Sequence, residues 1–224
     1  MDGDAARAEA GRNPDAAFCA RYGEAFFGAA DALAEARHVF LAGNDLPARF
    51  RPGFHVAELG FGTGLNVLAA WAAWRATGLP GPLAVTSFEA HPLDAARMAA
   101  ALAPFAEIAP LAAPVLAAWA RGARRIALPG LDLAVIEGDA RAAVPLWRGR
   151  ADAWFLDGFS PARNPAMWEP ALLAAVAART APGGTCASFT AARSVRDALA
   201  AAGFAVTRAP GFGRKRHMTR GVLR

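Results

Sequence analysis

The chain contains one lysine, Lys215, among 24 basic residues, one tyrosine and two cysteines in 224 residues. Cys19 and Cys186 stand far apart, outside any CxxC or metal-ligand spacing, so neither a disulfide framework nor a metal site is expected. Cys186, inside the apolar run GTCASFT (184–190), reads as a small buried hydrophobe. The opening stretch MDGDAARAEAGRNPD lacks the apolar core of a secretion signal. Elsewhere Pro, Arg or Asp breaks every apolar run before it is long enough to cross a bilayer. These absences exclude a membrane partner and point to a cytoplasmic protein. His38, His55 and His91 are isolated and read as structural.

What is abundant is alanine and arginine. Hydrophobic residues make up 55% of the chain, enough for a substantial core. Alanine buries little area, so that core must lean on Leu, Val, Phe and Trp. The net charge is +5, carried almost wholly by arginine. Either a coding bias toward Ala and Arg or a polyanionic partner accounts for this, since guanidinium groups bind phosphate through two parallel hydrogen bonds. Where the arginines cluster must decide between them.

Along the chain, residues 1–18 read as a mobile tail and residues 19–224 as one domain, with 19–50 an appendage and 51–224 the core. Within the appendage, 29–38 reads as a helix and 39–41 as a short strand. From residue 54 strands alternate with helices. Strands are expected at 54–59, 83–89, 131–136, 153–156, 184–190, 204–207 and 221–223. Helices are expected at 65–76, after Pro92, at 170–180 and at 194–202. Residues 104–121, rich in Ala and Pro, read as helical only in pieces. Such alternation predicts an α/β, Rossmann-like, doubly wound and mostly parallel sheet. No helix separates the last two strands, so a C-terminal antiparallel strand is expected.

The strongest local signal is ELGFGTGLN (58–66) at a strand-to-helix junction. Gly60, Gly62 and Gly64 allow a tight turn and close approach of the backbone to a ligand, at a helix N-terminus that presents free N–H groups. The spacing is not the GxGxxG of dinucleotide enzymes, and no GK[ST] follows for a triphosphate. Glu58, just before the first glycine, suits a ligand bearing a cationic amine, such as the methionine part of S-adenosylmethionine. Three more carboxylates each follow a predicted strand. Glu89 can accept ribose hydroxyls, Asp139 an adenine amino group, and Asp157 lies after the fourth strand. Ligands in open α/β sheets bind beyond the carboxyl ends of the strands, so the four should converge on one crevice. That pattern points to a class I S-adenosylmethionine-dependent methyltransferase, with Asn66 at the start of the helix in the cofactor site.

The segment WFLDGFSPARNPAMW (154–168) is more particular. Together with RHVFLAGN (37–44), the glycine turn, SFE (87–89), PGGT (182–185) and GFGRKRHM (211–218), it resembles the bacterial methyltransferases that form 5-methylaminomethyl-2-thiouridine at the tRNA wobble position. The resemblance spans residues 20–224. It implies N-methylation of the aminomethyl group of 5-aminomethyl-2-thiouridine, with S-adenosylmethionine as cofactor and the tRNA anticodon loop as partner. A flavin-dependent oxidase domain or protein would supply the primary amine. This chain has no second glycine fingerprint, so flavin chemistry is not expected within it. It departs from the family at Ile136-Glu137, where a tryptophan is usual, at Arg163, where lysine is common, and at EAFF (24–27), where Asp-Val-Tyr-Phe is frequent.

Methyl transfer to an amine is an in-line displacement at a sulfonium methyl. Asp157 either orients the amine and accepts its proton or only caps the loop that follows. Asn164 joins it as a catalytic candidate, in a loop similar in outline to the Asn-Pro-Pro-Tyr loops whose backbone carbonyl receives an amine. Phe159, Met167 and Trp168 either stack on a splayed base or pack the next helix. Arg163 is a substrate contact. The run Arg214, Lys215, Arg216 is either a phosphate-binding face, with Arg193, Arg196 and Arg220 near in sequence, or a solvated turn. The alternatives are a small-molecule N- or O-methyltransferase, or a non-catalytic module that binds S-adenosylmethionine or RNA.

Overall fold

The computed structural model describes residues 18–19, 24–25 and 32–224. The tail expected at 1–18 thus lies outside the described residues except for Phe18. Two short strands, β1 (Phe18–Cys19) and β2 (Glu24–Ala25), pair antiparallel. Helix α1 (Ala32–Ala36) continues into a π-helical turn, Arg37–Leu41, and a 3-10 turn, Ala42–Asn44. The strand expected at 39–41 is therefore helical. Val39, Phe40 and Leu41 are all buried, so the segment has no solvent face and carries no period from which to tell strand from helix.

The core strands are β3 (His55–Leu59), β4 (Leu83–Glu89), β6 (Leu131–Glu137), β7 (Ala151–Leu156) and β8 (Thr180–Ser188), all mutually parallel. One edge is β5 (Arg125–Leu128), hairpinned antiparallel onto β6. The other edge holds β9 (Phe204–Pro210) and β10 (His217–Leu223). Strand β10 slots between β8 and β9, antiparallel to both, in the order β5-β6-β4-β3-β7-β8-β10-β9. The expected antiparallel C-terminal strand is present. β5 was not anticipated, although Pro129-Gly130 between it and β6 is a recognisable turn signal.

Alternate side chains on each strand feed opposite layers. Val56 and Phe155 pack with α2 (Leu65–Thr77), α3 (Ala95–Leu102) and α4 (Ala109–Ala120). Ala57, Leu59, Trp154 and Leu156 pack with α5 (Ala140–Leu146), α6 (Pro170–Ala178) and α7 (Arg193–Ala201). The sheet is thus doubly wound. Helix α4 is continuous despite Pro114, where pieces were expected. Pro110 occupies its tolerant first turn, and burial of Leu111, Val115 and Trp119 outweighs one missing backbone bond. Helix α3 starts at Ala95, capped by Asp94 accepting from the Arg97 N–H at 2.8 Å, three residues beyond Pro92. Cys186 is fully buried beside β10, and burial pushes its thiol up to about 12.

Candidate active site

Strand order reverses between β3 and β7, because the chain leaves β3 toward β4 on one side and returns to β7 on the other. Such a switch point opens a crevice at the strands' carboxyl ends. Here it is a cleft of about 1360 Å³, lined by residues from the β3, β4, β6, β7 and β8 ends, α1 and the β9–β10 turn.

The glycine turn forms its floor. Gly60, Gly62 and Gly64 have φ of 90°, 52° and 81°, a region that favours glycine. At Gly60 there is a second constraint, since a Cβ there would stand 2.6 Å from the Asp157 carbonyl oxygen. The turn and the β7 end are thereby pressed together, and the Asp157 N–H donates to the Leu59 carbonyl at 3.2 Å.

Asn66, in the first turn of α2, joins the two strand ends. Its Nδ2 donates to Glu58 Oε1 at 3.0 Å and to Asp157 Oδ2 at 2.7 Å. Glu58 Oε2 accepts from Ser87 Oγ at 2.8 Å. Glu58 is 1% exposed and does not line the cleft. Burial pushes its carboxyl up to about 8, against the pull of its two hydrogen bonds. The direct contact with a cationic amine expected of Glu58 is therefore corrected. It lies beneath the floor, buried and away from the lining. Glu89 does reach the cleft, its oxygens accepting from the Gly62 N–H at 3.0 Å and the His91 N–H at 2.7 Å. Asp139 caps α5 and is gripped by the Arg141 guanidinium, whose hydrogen bonds hold its carboxyl below the usual range.

Of the other predicted residues, Asp157, Phe159, Asn164, Met167 and Lys215 line the cleft, whereas Gly64, Arg163, Trp168, Arg214 and Arg216 do not. Trp168 is 7% exposed, donates to the Phe159 carbonyl at 2.8 Å and meets Phe189 edge-on. Of its two readings, stacking on a base or packing, the enclosed ring fits packing beneath the loop. The Asn164 carbonyl accepts from the Met167 N–H at 3.3 Å, which closes the turn that sets Asn164 on the cleft. In the basic run only Lys215 turns inward, with Nζ 2.8 Å from Glu35 Oε1 and 4.3 Å from the centre of the Phe189 ring. Arg214 and Arg216 are exposed. Arg220 is held by the Gly43 carbonyl and Asp45. His38 and His55 bond to the Pro210 carbonyl and Thr86 Oγ1, as structural residues do, while His91 lines the cleft. Sequence reasoning missed Glu35, Phe40, Phe61, Arg141 and Phe189 on the lining. Phe61 sits inside the glycine motif, Arg141 two residues after Asp139 and Phe189 just past a strand end. Glu35 and Phe40 carry no such signal.

Residues 104–224 match a family described as S-adenosyl-L-methionine-dependent methyltransferase. The chain belongs to that family. Among relatives of this methyltransferase, the tRNA 5-methylaminomethyl-2-thiouridine biosynthesis bifunctional protein MnmC of Caulobacter sp. (strain K31) is 51% identical over 218 residues, covering 91% of this chain and 36% of that protein. The protein of the same name from Caulobacter vibrioides is 52% identical over 205 residues, 87% of this chain and 34% of the relative. The chain therefore spans about a third of the length of these curated relatives. Among solved structures, MNMC2 from Aquifex aeolicus superposes with a TM-score of 0.73 at 27% identity, over 91% of this chain and 65% of that one. Streptomyces venezuelae DesVI, at 14% identity and a TM-score of 0.52 over 88% of this chain and 93% of that one, shares the fold.

The cofactor of this family is S-adenosylmethionine, and the methyltransferase's cleft suits it chemically. Backbone of a glycine turn, the carboxylates of Glu89, Asp139 and Asp157, and apolar surface from Phe61, Phe88, Leu93 and Ala140 face one space. Such a lining accepts hydroxyls and amines and encloses a flat base. Among the described residues, no helix is long and apolar enough to cross a membrane.

Proposed function

We propose that this chain methylates the aminomethyl nitrogen of 5-aminomethyl-2-thiouridine at the wobble position of tRNA, giving 5-methylaminomethyl-2-thiouridine. The observation that carries the reading is the 51% identity to a protein named for this biosynthesis, spread over 91% of the chain.

Within that reading, Glu89 accepts ribose hydroxyls and Asp139 the adenine amino group. Each carboxylate keeps lone pairs beyond those its present partners occupy. Gly60, Gly62 and Gly64 let the backbone approach the methionine end. S-adenosylmethionine supplies a methyl group on a sulfonium centre. The chain's own residues then have one task, to present a free amine in line with it. An aliphatic ammonium has no lone pair, so Asp157 orients the amino group and accepts its proton. The Asn164 side chain helps hold the nucleoside, and Phe159 and Met167 flank the base. Lys215, Arg214, Arg216 and Arg163 meet the anticodon-loop phosphates. A flavin-dependent oxidase domain or protein supplies the amine, the setting is cytoplasmic, and residues 19–224 act as one methyltransferase domain.

The test is methyl transfer from labelled S-adenosylmethionine to tRNA bearing wobble 5-aminomethyl-2-thiouridine, against the same tRNA lacking the amine. Label is expected only in the first. In that assay Asp157→Ala should lower turnover by about 10³-fold. Equal labelling of both tRNAs, or none with the cofactor shown to bind, would reject the assignment.

A further inference from the structure

Two carboxylates from adjacent strands share one donor group in this cleft. The Asn66 amide gives one bond to Glu58 at the end of β3 and one to Asp157 just after β7. Glu58 is itself fixed by Ser87 from β4. Ser87, Glu58, Asn66 and Asp157 thus form a continuous hydrogen-bonded chain across three strands and a helix. Its near end faces the cleft and its far end is sealed in the core, with Ser87 0% and Asn66 7% exposed.

Three physical consequences follow. A half-turn of the amide is opposed at the Asp157 end, because its carbonyl oxygen would then face a carboxylate that offers no donor. The amide is held against swinging as a whole, because it bonds to Glu58, which is buried and itself pinned by Ser87. With the Glu58 carboxyl pushed up to about 8, that group is protonated near neutral pH, so the amide is not shared between two full negative charges. What remains adjustable is the Asp157 carboxylate, and the 2.7 Å bond to its Oδ2 constrains how it turns.

We propose that Asn66 is a positioning residue for methyl transfer: anchored on Glu58, it fixes the rotation of the Asp157 carboxylate and therefore the place where the substrate's amino group rests. The proposal rests on the reading above that Asp157 receives that amine. It differs from a role for Asn66 as a ligand of the cofactor. A positioning residue governs the chemical step through Asp157, whereas a ligand governs cofactor affinity.

The experiment is a double-mutant cycle of Asn66→Ala and Asp157→Asn in the 224-residue chain. Turnover is measured on amine-bearing tRNA, with calorimetric affinity for S-adenosylhomocysteine and thermal unfolding recorded for each variant. Asn66→Ala should lower kcat by about 30-fold while KM for tRNA and the affinity for S-adenosylhomocysteine each change less than about threefold. The double variant should be no slower than Asp157→Asn alone, within about threefold, because a carboxylate already disabled has nothing left to lose by rotating. Losses that multiply, or an affinity for S-adenosylhomocysteine that falls in step with kcat, would overturn the proposal. Should Asn66→Ala not fold, Asn66→Asp keeps the volume, replaces the donor with an acceptor and is read in the same way. A slow Asp157→Asn beside an unimpaired Asn66→Ala would remove this proposal alone. Full turnover in Asp157→Asn would remove the reading beneath it.

Discussion

At the floor of the cleft, Glu58, Gly60, Asn66 and Asp157 lock together through backbone contact and bonds of 2.7–3.2 Å, with Glu58 and Asn66 buried and Gly60 and Asp157 half-buried. At its lip, Lys215 reaches across 180 residues of sequence to Glu35 with half of its side chain in water, and Arg214 and Arg216 stand exposed. The floor is made of short side chains and glycines whose positions the backbone dictates. The lip is made of long, solvated chains, of which Lys215 is held by an exposed, weak ion pair. The comparison teaches a division of labour. The floor can carry geometry accurate enough for chemistry, and the lip can carry charge that recognises a large anion.

The most damaging way to break the floor without removing a side chain is Gly60→Ala. The added Cβ meets the Asp157 carbonyl oxygen while the residue is held at a φ of 90°. Methyl transfer should fall by about 100-fold, since displacement by an ångström costs that much. Unfolding free energy should drop by on the order of 2 kcal/mol, read by urea denaturation.

The floor also predicts a pH dependence. The Glu58 carboxyl is raised from 4.5 to about 8 in the folded chain, so the native state binds its proton more tightly than the unfolded state does. Its contribution is fully present below pH 4.5 and is lost as pH rises toward 8, beyond which no further loss occurs. Glu58→Gln, which cannot ionise, should therefore gain stability relative to the parent across that window. The difference should reach a few kcal/mol, at about 1.4 kcal/mol per pH unit. Parallel stability curves for the two proteins from pH 5 to 9 would show that Glu58 is not held as a buried acid.

Effects at the lip should be smaller and of another kind. Reversing Arg214 and Arg216 to Glu should raise KM for tRNA by about tenfold or more and flatten its salt dependence. Turnover of an amine the size of a nucleoside should fall much less. Lys215→Ala, which removes the pair with Glu35, should raise KM for tRNA by about threefold and move the melting temperature by less than about 2 °C. A loss of turnover on both substrates as large as that of Gly60→Ala would erase the distinction between floor and lip.

The floor was largely legible from sequence, because strand-end carboxylates and a glycine turn are local patterns that recur after each strand. Its interior was not. Glu58 was expected to touch the cofactor because it precedes Gly60, but strand alternation and Ser87 on the neighbouring strand bury it. Trp168 illustrates the same limit, since an aromatic residue beside an active loop reads equally as a stacking face or as packing. The lip was legible only as a basic run. That Lys215 turns inward while its neighbours turn out depends on Glu35 and Phe189, which no spacing links to it.

By itself, then, the sequence determined the alternation of strands and helices, a crevice at the strands' carboxyl ends and the residue types there, because periodicity and glycine geometry act over a few residues. Only the tertiary structure decided which carboxylate is sealed away and which faces the cleft, that Asn66 joins them, and that β10 inserts between β8 and β9. Those outcomes depend on register between strands and on contacts across tens to hundreds of residues, where burial and hydrogen-bond partners are set by neighbours remote in the chain.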